Sequence, residues 1–148
     1  MKTTTIKGVG GLNYIEIRNV PIRVSKDKEI DQIVMVNLGD LEKLVAIEII
    51  KQKIPLHGQE VMFLRKVLGL SMEKFAGCLG LTSGSILKWE RAKEKWLTPI
   101  NEVAVRTLVA EKLKVDIPGK FSSLVGTENI PEKLSITWSQ TGLKKKAA

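Results

Sequence analysis

Between Leu64 and Ala92 the chain reads LRKVLGLSMEKFAGCLGLTSGSILKWERA, and this stretch leaves little freedom in how it folds. Met72, Phe75, Ala76 and Leu79 fall on one face of a helical period. Gly80 follows as the residue that tolerates a left-handed backbone and stops a helix within one position. Thr82 or Ser83 then caps a second helix, whose apolar side carries Ile86 and Trp89. Two short helices joined by a tight glycine-bearing turn have the layout of a helix-turn-helix, whose second helix enters a DNA major groove.

Two charges in this region stand where apolar residues belong. Arg65 shares a helix face with Val61, Leu64 and Leu68, and Glu90 follows Ile86 by four positions beside Trp89. An unpaired buried charge is very costly, so two opposite charges on two core-facing sides should find each other. The sequence therefore predicts an Arg65–Glu90 ion pair bracing the second motif helix, against the alternative that both side chains reach solvent.

The helical pattern extends on either side of the motif. A helix is predicted from Gly58 to Gly69. After the basic loop Lys93-Glu94-Lys95, Thr98-Pro99 supplies an N-cap and a proline at the first helical position. The helix opened there carries Ile100, Val103, Ala104, Leu108 and Val109, and Pro118-Gly119 ends the run. Its apolar side is either a dimer face or the closure of the helical core.

The N-terminal third has a different texture. Residues 1–12 are polar and glycine-bearing and read as a frayed start. Tyr14 to Ile17, Ile22 to Val24 and Ile30 to Val36 have period-two character, separated by Asn19-Val20-Pro21 and the charged turn SKDKE. These runs predict a small antiparallel sheet of two or three strands, with Asn19-Val20-Pro21 as a hairpin connection and Pro21 on an edge or in a bulge. Asp40 can cap a helix reaching about Lys53, although Val45, Ile47 and Ile49 would also alternate on a strand. Ile54-Pro55 marks a break. The expected organisation is α+β: a small N-terminal domain over 1–56, an all-α domain over 57–117, and an extension over 118–148. That extension holds one strand, Leu134 to Trp138, and the Lys144-Lys145-Lys146 tail.

Composition narrows the function classes. The 24 basic and 16 acidic residues give +8, and residues 57–115 alone contribute +4. Such an excess suits a polyanionic partner. One cysteine, Cys78, excludes an internal disulfide and a cysteine-rich zinc site, and fits a reducing cytoplasm; Cys78 is expected to pack inside the first motif helix. Neither a signal peptide nor a membrane-spanning run is visible. GVGG at 8–11 does not lie between a strand and a helix and reads as a flexible segment. With one histidine, His57, and none of the HExxH, GxSxG or phosphate-loop motifs, the chain is not expected to be an enzyme. Neither a cofactor nor a metal site is expected.

Arg65, Gly69, Leu70-Ser71, Phe75-Ala76, Leu79-Gly80, Ser85-Ile86 and Trp89-Glu90-Arg91 together resemble the phage-repressor-like (Xre/Cro) helix-turn-helix family. The resemblance implies a lambda-repressor-like domain of about sixty residues, and that family commonly carries a buried arginine–glutamate pair at these positions. The string Gly58 to Lys66, with the strand-rich segment before it, resembles the MqsA/YgiT-type antitoxins. The chain departs from both patterns. Met72 stands where family members usually have a phosphate- or base-binding glutamine. Lys74 replaces a common acid and so breaks the capping box. The paired CxxC motifs of the antitoxin subgroup are absent, so their zinc does not carry over.

In a groove-bound helix of this type, Thr82, Ser83 and Ser85 reach base edges or phosphates, and Lys88 lies one turn further on. Arg91, Lys93 and Lys95, with Lys74 from the first motif helix, are expected to hold phosphate and fix register. Taken singly, each lysine is also explained as a solvated surface charge. Trp89 is expected in the core, and Trp96 beside Lys95 either touches the sugar–phosphate backbone or does not. The combined expectation is a cytoplasmic transcriptional regulator, acting as a repressor on operator DNA and binding as a homodimer. On the resemblance it is the antitoxin of a toxin–antitoxin pair that represses its own operon. The alternative is a stand-alone regulator whose N-terminal segment binds an effector or dimerises.

Overall fold

A computed structural model describes residues 2–24, 32–34, 36–51, 55–117, 119, 124 and 131–139. The chain is α+β, with four strands and five helices among these residues: β1 Thr3–Lys7, β2 Ile15–Val24, β3 Gln32–Val34, α1 Leu38–Lys51, α2 Gly58–Val67, α3 Met72–Leu79, α4 Ser83–Arg91, α5 Pro99–Leu113 and β4 Leu134–Thr137. It divides into two compact units, one of residues 1–45 with 131–148 and one of residues 46–130. The division differs from the expected domains in two ways. It falls at 45/46, within α1, instead of at 56/57, and the expected extension is divided, 118–130 grouping with the second unit and 131–148 with the first.

In the first unit β2 is the central strand. β1 pairs with it antiparallel, β3 pairs antiparallel over Ile22 to Val24, and β4 pairs parallel over Ile15 to Arg18. The sheet is therefore mixed and not wholly antiparallel. Residues 2–12 are not a frayed start, because β1 occupies five of them and the glycines at 8, 10 and 11 adopt φ of 71°, 68° and 79° to turn the chain back. That turn buries Val9 and Leu12.

The hairpin expected at Asn19-Val20-Pro21 is also absent; β2 runs straight through it. Thr4 lies opposite Val20 and Ile6 opposite Ile17, so β2 carries one extra residue between them. Asn19, at φ 64°, absorbs this bulge. Without the bulge, strand parity would turn Val20 and Ile22 outward. With it, Ile15, Ile17, Val20 and Ile22 are all buried. Pro21 falls between the stretches paired by β4, which reaches Arg18, and by β3, which starts at Ile22, so its missing N–H forfeits no ladder bond.

Glu16 ties β4 to β2. Its Oε2 accepts from Ser135 Oγ at 2.8 Å and from Arg18 Nε at 2.9 Å, and Lys133 Nζ lies 3.6 Å from Oε1. The Ser135 hydrogen bond, then that from Arg18, hold the Glu16 carboxyl below the ordinary glutamate range against the opposing effect of burial.

Helix α1 is capped at Asn37, three residues ahead of the expected Asp40, its Oδ1 accepting the Gly39 N–H at 2.7 Å. The helical alternative at 45–49 is the one adopted. Every residue from Leu44 to Ile50 is buried, and a helix covered all round shows no single apolar stripe.

In the second unit Arg106, on α5, is 1% exposed. Its Nη2 pairs with Glu102 Oε2 at 3.0 Å, and its Nη1 donates to the carbonyls of Ile49 and Ile50 at 3.1 and 3.0 Å. These carbonyls lie in the last described turn of α1. Burial pulls the Arg106 guanidinium below its ordinary range and Glu102 opposes that shift. No helix among the described residues is long and apolar enough to cross a membrane. Ile30, Ile54, Pro118, the SKDKE turn and the Lys144–Lys146 tail lie outside the described residues.

Candidate nucleic-acid interface

Local capping shapes α3 and α4. Ser71 Oγ accepts the Lys74 N–H at 3.2 Å and starts α3, and Gly80 at φ 71° ends it. Thr82 Oγ1 accepts the Ser85 N–H at 3.3 Å and starts α4. Phe75 and Ala76 from α3, and Ile86 and Glu90 from α4, are buried.

The back of α4 is anchored by charge. Arg65 Nε and Nη2 donate to the two carboxylate oxygens of Glu90 at 2.6 and 2.9 Å, and Nη1 donates to the Leu70 carbonyl at 2.9 Å. One guanidinium thus joins α2, the α2–α3 turn and α4. The Glu90 hydrogen bonds raise the Arg65 pKa above its ordinary value, so the guanidinium keeps its charge.

A second anchor is made entirely of backbone. Gly58 and Gln59 N–H, at the start of α2, donate to the carbonyls of Lys95 and Lys93 at 3.3 and 3.1 Å, and Leu97 N–H donates to Leu56 O at 2.9 Å. The loop after α4 therefore supplies acceptors to N–H groups that a helix start leaves unpaired. Gly58 permits the approach: a Cβ there would strike the Trp89 carbonyl and lie 2.7 Å from that of Ala92. His57 is buried, with its backbone N–H donating to Glu60 Oε1 at 2.9 Å and its ring edge-on to Trp96 at 5.4 Å.

These anchors position the expected binding residues. Thr82, Ser83, Lys88, Arg91, Lys93 and Lys95 are exposed, and Ser85 is half-buried. Two of the three hydroxyls face each other, Thr82 Oγ1 and Ser85 Oγ sharing a 3.2 Å hydrogen bond, which leaves Ser83 as the uncommitted one. Ser85, Lys88 and Lys95 line one cavity, and Lys88 and Arg91 line a neighbouring depression with Gly84 and Leu87. Lys74 is exposed on α3 and lines neither. Among the described residues no carboxylate pairs with Lys88, Arg91, Lys93 or Lys95, whereas Arg18, Arg65, Arg106 and Lys133 all have acidic partners. Nor, among those residues, do three or more His, Cys, Asp or Glu side chains gather as metal ligands.

Two expectations need correcting. Trp89 is half-buried and lines the cavity instead of sitting in the core, and Cys78 is exposed. On α5, Ile100 is 73% exposed and Val103, Ala104 and Leu108 are half-buried, while Val105, Arg106 and Val109 are buried. Neither the contact of His57 with Trp96 nor the role of Arg106 was read from the sequence. The signal for Arg106 was its place four residues after Glu102, beside Val105 and Val109.

No family model, no curated protein and no solved structure matches the chain.

Proposed function

We propose that residues 57–117 form a lambda-repressor-like helix-turn-helix domain of the Xre type that binds double-stranded operator DNA with α4 in the major groove. One observation carries the reading. A short helix, braced from behind by Arg65 and Glu90, turns outward a set of cations with no acidic partner among the described residues. Lys88 reads bases, Ser83 and the exposed start of α4 approach them, and Arg91, Lys93 and Lys95 hold phosphate. Lys74 adds a charge from α3. Met72 supplies no phosphate contact, so the loop lysines take a larger share.

The same reading makes the protein a cytoplasmic repressor that acts as a homodimer. A single reading helix buries little surface, and two half-sites one turn apart multiply affinity. Ile100, Val103, Ala104 and Leu108 of α5 offer the dimer face. The resemblance to antitoxins gives the sheet and helix of residues 14–53 a toxin to grip. Co-purification with a small basic toxin encoded alongside tests this, and recovery of the chain alone favours a stand-alone regulator.

DNA binding is tested by salt titration on duplexes selected from a random pool. Four phosphate contacts per protomer in a dimer give a slope of log K against log salt near about −7. A flat response ends the proposal. Lys88→Ala lowers discrimination at one base position by about 1–3 kcal/mol, whereas Lys93→Ala weakens all sequences alike.

A further inference from the structure

The cavity behind Lys88 has a lining that DNA reading does not explain. It encloses about 310 Å³ between the end of α4, the following loop and the first turn of α5. That volume reaches the range of small-molecule sites, about 300–1,000 Å³. Two indoles form its apolar wall. Trp89 is half-buried, and Trp96 is 52% exposed yet held edge-on by His57 at 5.4 Å, with its backbone bridged to that of His57. Trp96 is thus fixed in place without being covered.

Apart from Ser85, whose hydroxyl meets Thr82, the polar side chains around this wall are uncommitted among the described residues. Lys88 and Lys95 have no carboxylate partner among the described residues. Thr98 precedes α5 at the capping position, but its side chain makes no cap hydrogen bond. Asn101 brings an amide from the first turn of the same helix, where aligned peptide dipoles favour negative charge. Rigid indole faces beside two cations and neutral donors suit one ligand chemistry: a flat ring stacked on tryptophan, with an anionic group at the lysines.

We propose that this cavity binds a small planar aromatic anion. Its ring lies against Trp96 and Trp89, and its charge is met by Lys88 and Lys95 with help from Asn101 and Thr98. An aryl carboxylate and a nucleoside monophosphate share this chemistry. Ser85 and Lys88 line the cavity and also belong to the outward side of α4, so an occupant withdraws Lys88 from a duplex. The ligand therefore acts as an effector that releases operator DNA. This last consequence rests on the DNA-binding reading; the binding site does not.

Calorimetric titration of the full chain tests the site with two probes, indole-3-acetate and adenosine 5′-monophosphate, each beside its uncharged counterpart, tryptophol or adenosine. Saturable binding is expected for at least one anion at a dissociation constant of about 1 mM or tighter, with the neutral counterpart about tenfold weaker. The stronger probe identifies the source of the ligand. Lys95→Ala and Trp96→Leu each weaken it about tenfold, while Lys66→Ala, on exposed α2 surface, does not. Absence of saturable binding by both anions overturns the proposal. So does equal binding of the neutral compounds, or binding indifferent to Lys95→Ala and Trp96→Leu. Displacement of a labelled duplex by the bound probe supports the effector role, and a duplex retained at probe saturation overturns that role. A chain that binds the probe but no duplex sinks the DNA reading and leaves the cavity assignment standing.

Discussion

The guanidinium of Arg65 closes on both carboxylate oxygens of Glu90 while its third nitrogen holds the Leu70 carbonyl. Glu90 lies on the side of α4 opposite its outward charges, and its carboxylate is 1% exposed. The pair fixes the rotation of α4 about its own axis, and hence which residues face out. Glu90→Ala leaves Arg65 without its partner and should cost about 3–5 kcal/mol, read from denaturant unfolding. Unchanged stability would show that the pair braces nothing.

Two glycines in the same unit should respond in opposite ways to alanine. Gly58→Ala drives a methyl into the backbone carbonyls of Trp89 and Ala92, which no rotamer change can relieve. It should destabilise by at least about 1–3 kcal/mol and loosen the loop bearing Lys93 and Lys95. Gly84→Ala meets only Thr82 Oγ1 at 3.7 Å. It should raise stability by about 0.5–1 kcal/mol, and it should weaken duplex binding if the backbone of α4 approaches the groove. Thermal melts and duplex titrations of the two variants separate these effects.

Arg106→Met removes two donors from the last turn of α1 and withdraws the cation beside Glu102. A loss of about 3–5 kcal/mol follows. The double variant Arg106→Met with Glu102→Leu should recover part of it, since a well-packed apolar pair can replace a buried ionic one. Unfolding midpoints of the three proteins measure the recovery.

Acid should loosen the first unit through Glu16. Its folded pKa lies below the ordinary glutamate range, chiefly because Ser135 and then Arg18 donate to the ionised form. A depressed carboxyl pKa stabilises the fold fully above the unfolded value of about 4.3, and that contribution fades as pH falls through the folded value. Glu16→Gln should therefore lower stability at pH 7, and its difference from the parent should shrink below about pH 4. A gap that persists unchanged at pH 3 would contradict the assignment.

What could be read ahead of the structure was local. Ser71, Gly80 and Thr82 act on their own helices within three or four residues, so their types and spacing suffice. Arg65 and Glu90 were legible because each breaks an apolar face. The burial of Cys78 and Trp89 was misjudged because membership of a helix is not membership of its covered side. At about 100° per residue, Cys78 sits roughly 110° from the centre of the Phe75–Ala76 face, and Trp89 roughly 80° from that of Ile86 and Glu90. The parallel pairing of β4 with β2 joins Leu134 to Ile15, a non-local contact that no short pattern encodes. The bulge at Asn19 was visible as the parity break between Ile17 and Val20, but Asn-Val-Pro also fits a turn, and only the pairing of β1 decides between them.

In the loop after α4, Lys93 and Lys95 bond to the start of α2 through their main-chain carbonyls. The side chains of these two lysines take no part in those bonds. Evolution can therefore exchange the charges at these two positions without disturbing the scaffold, and retune the partner while the frame stays the same.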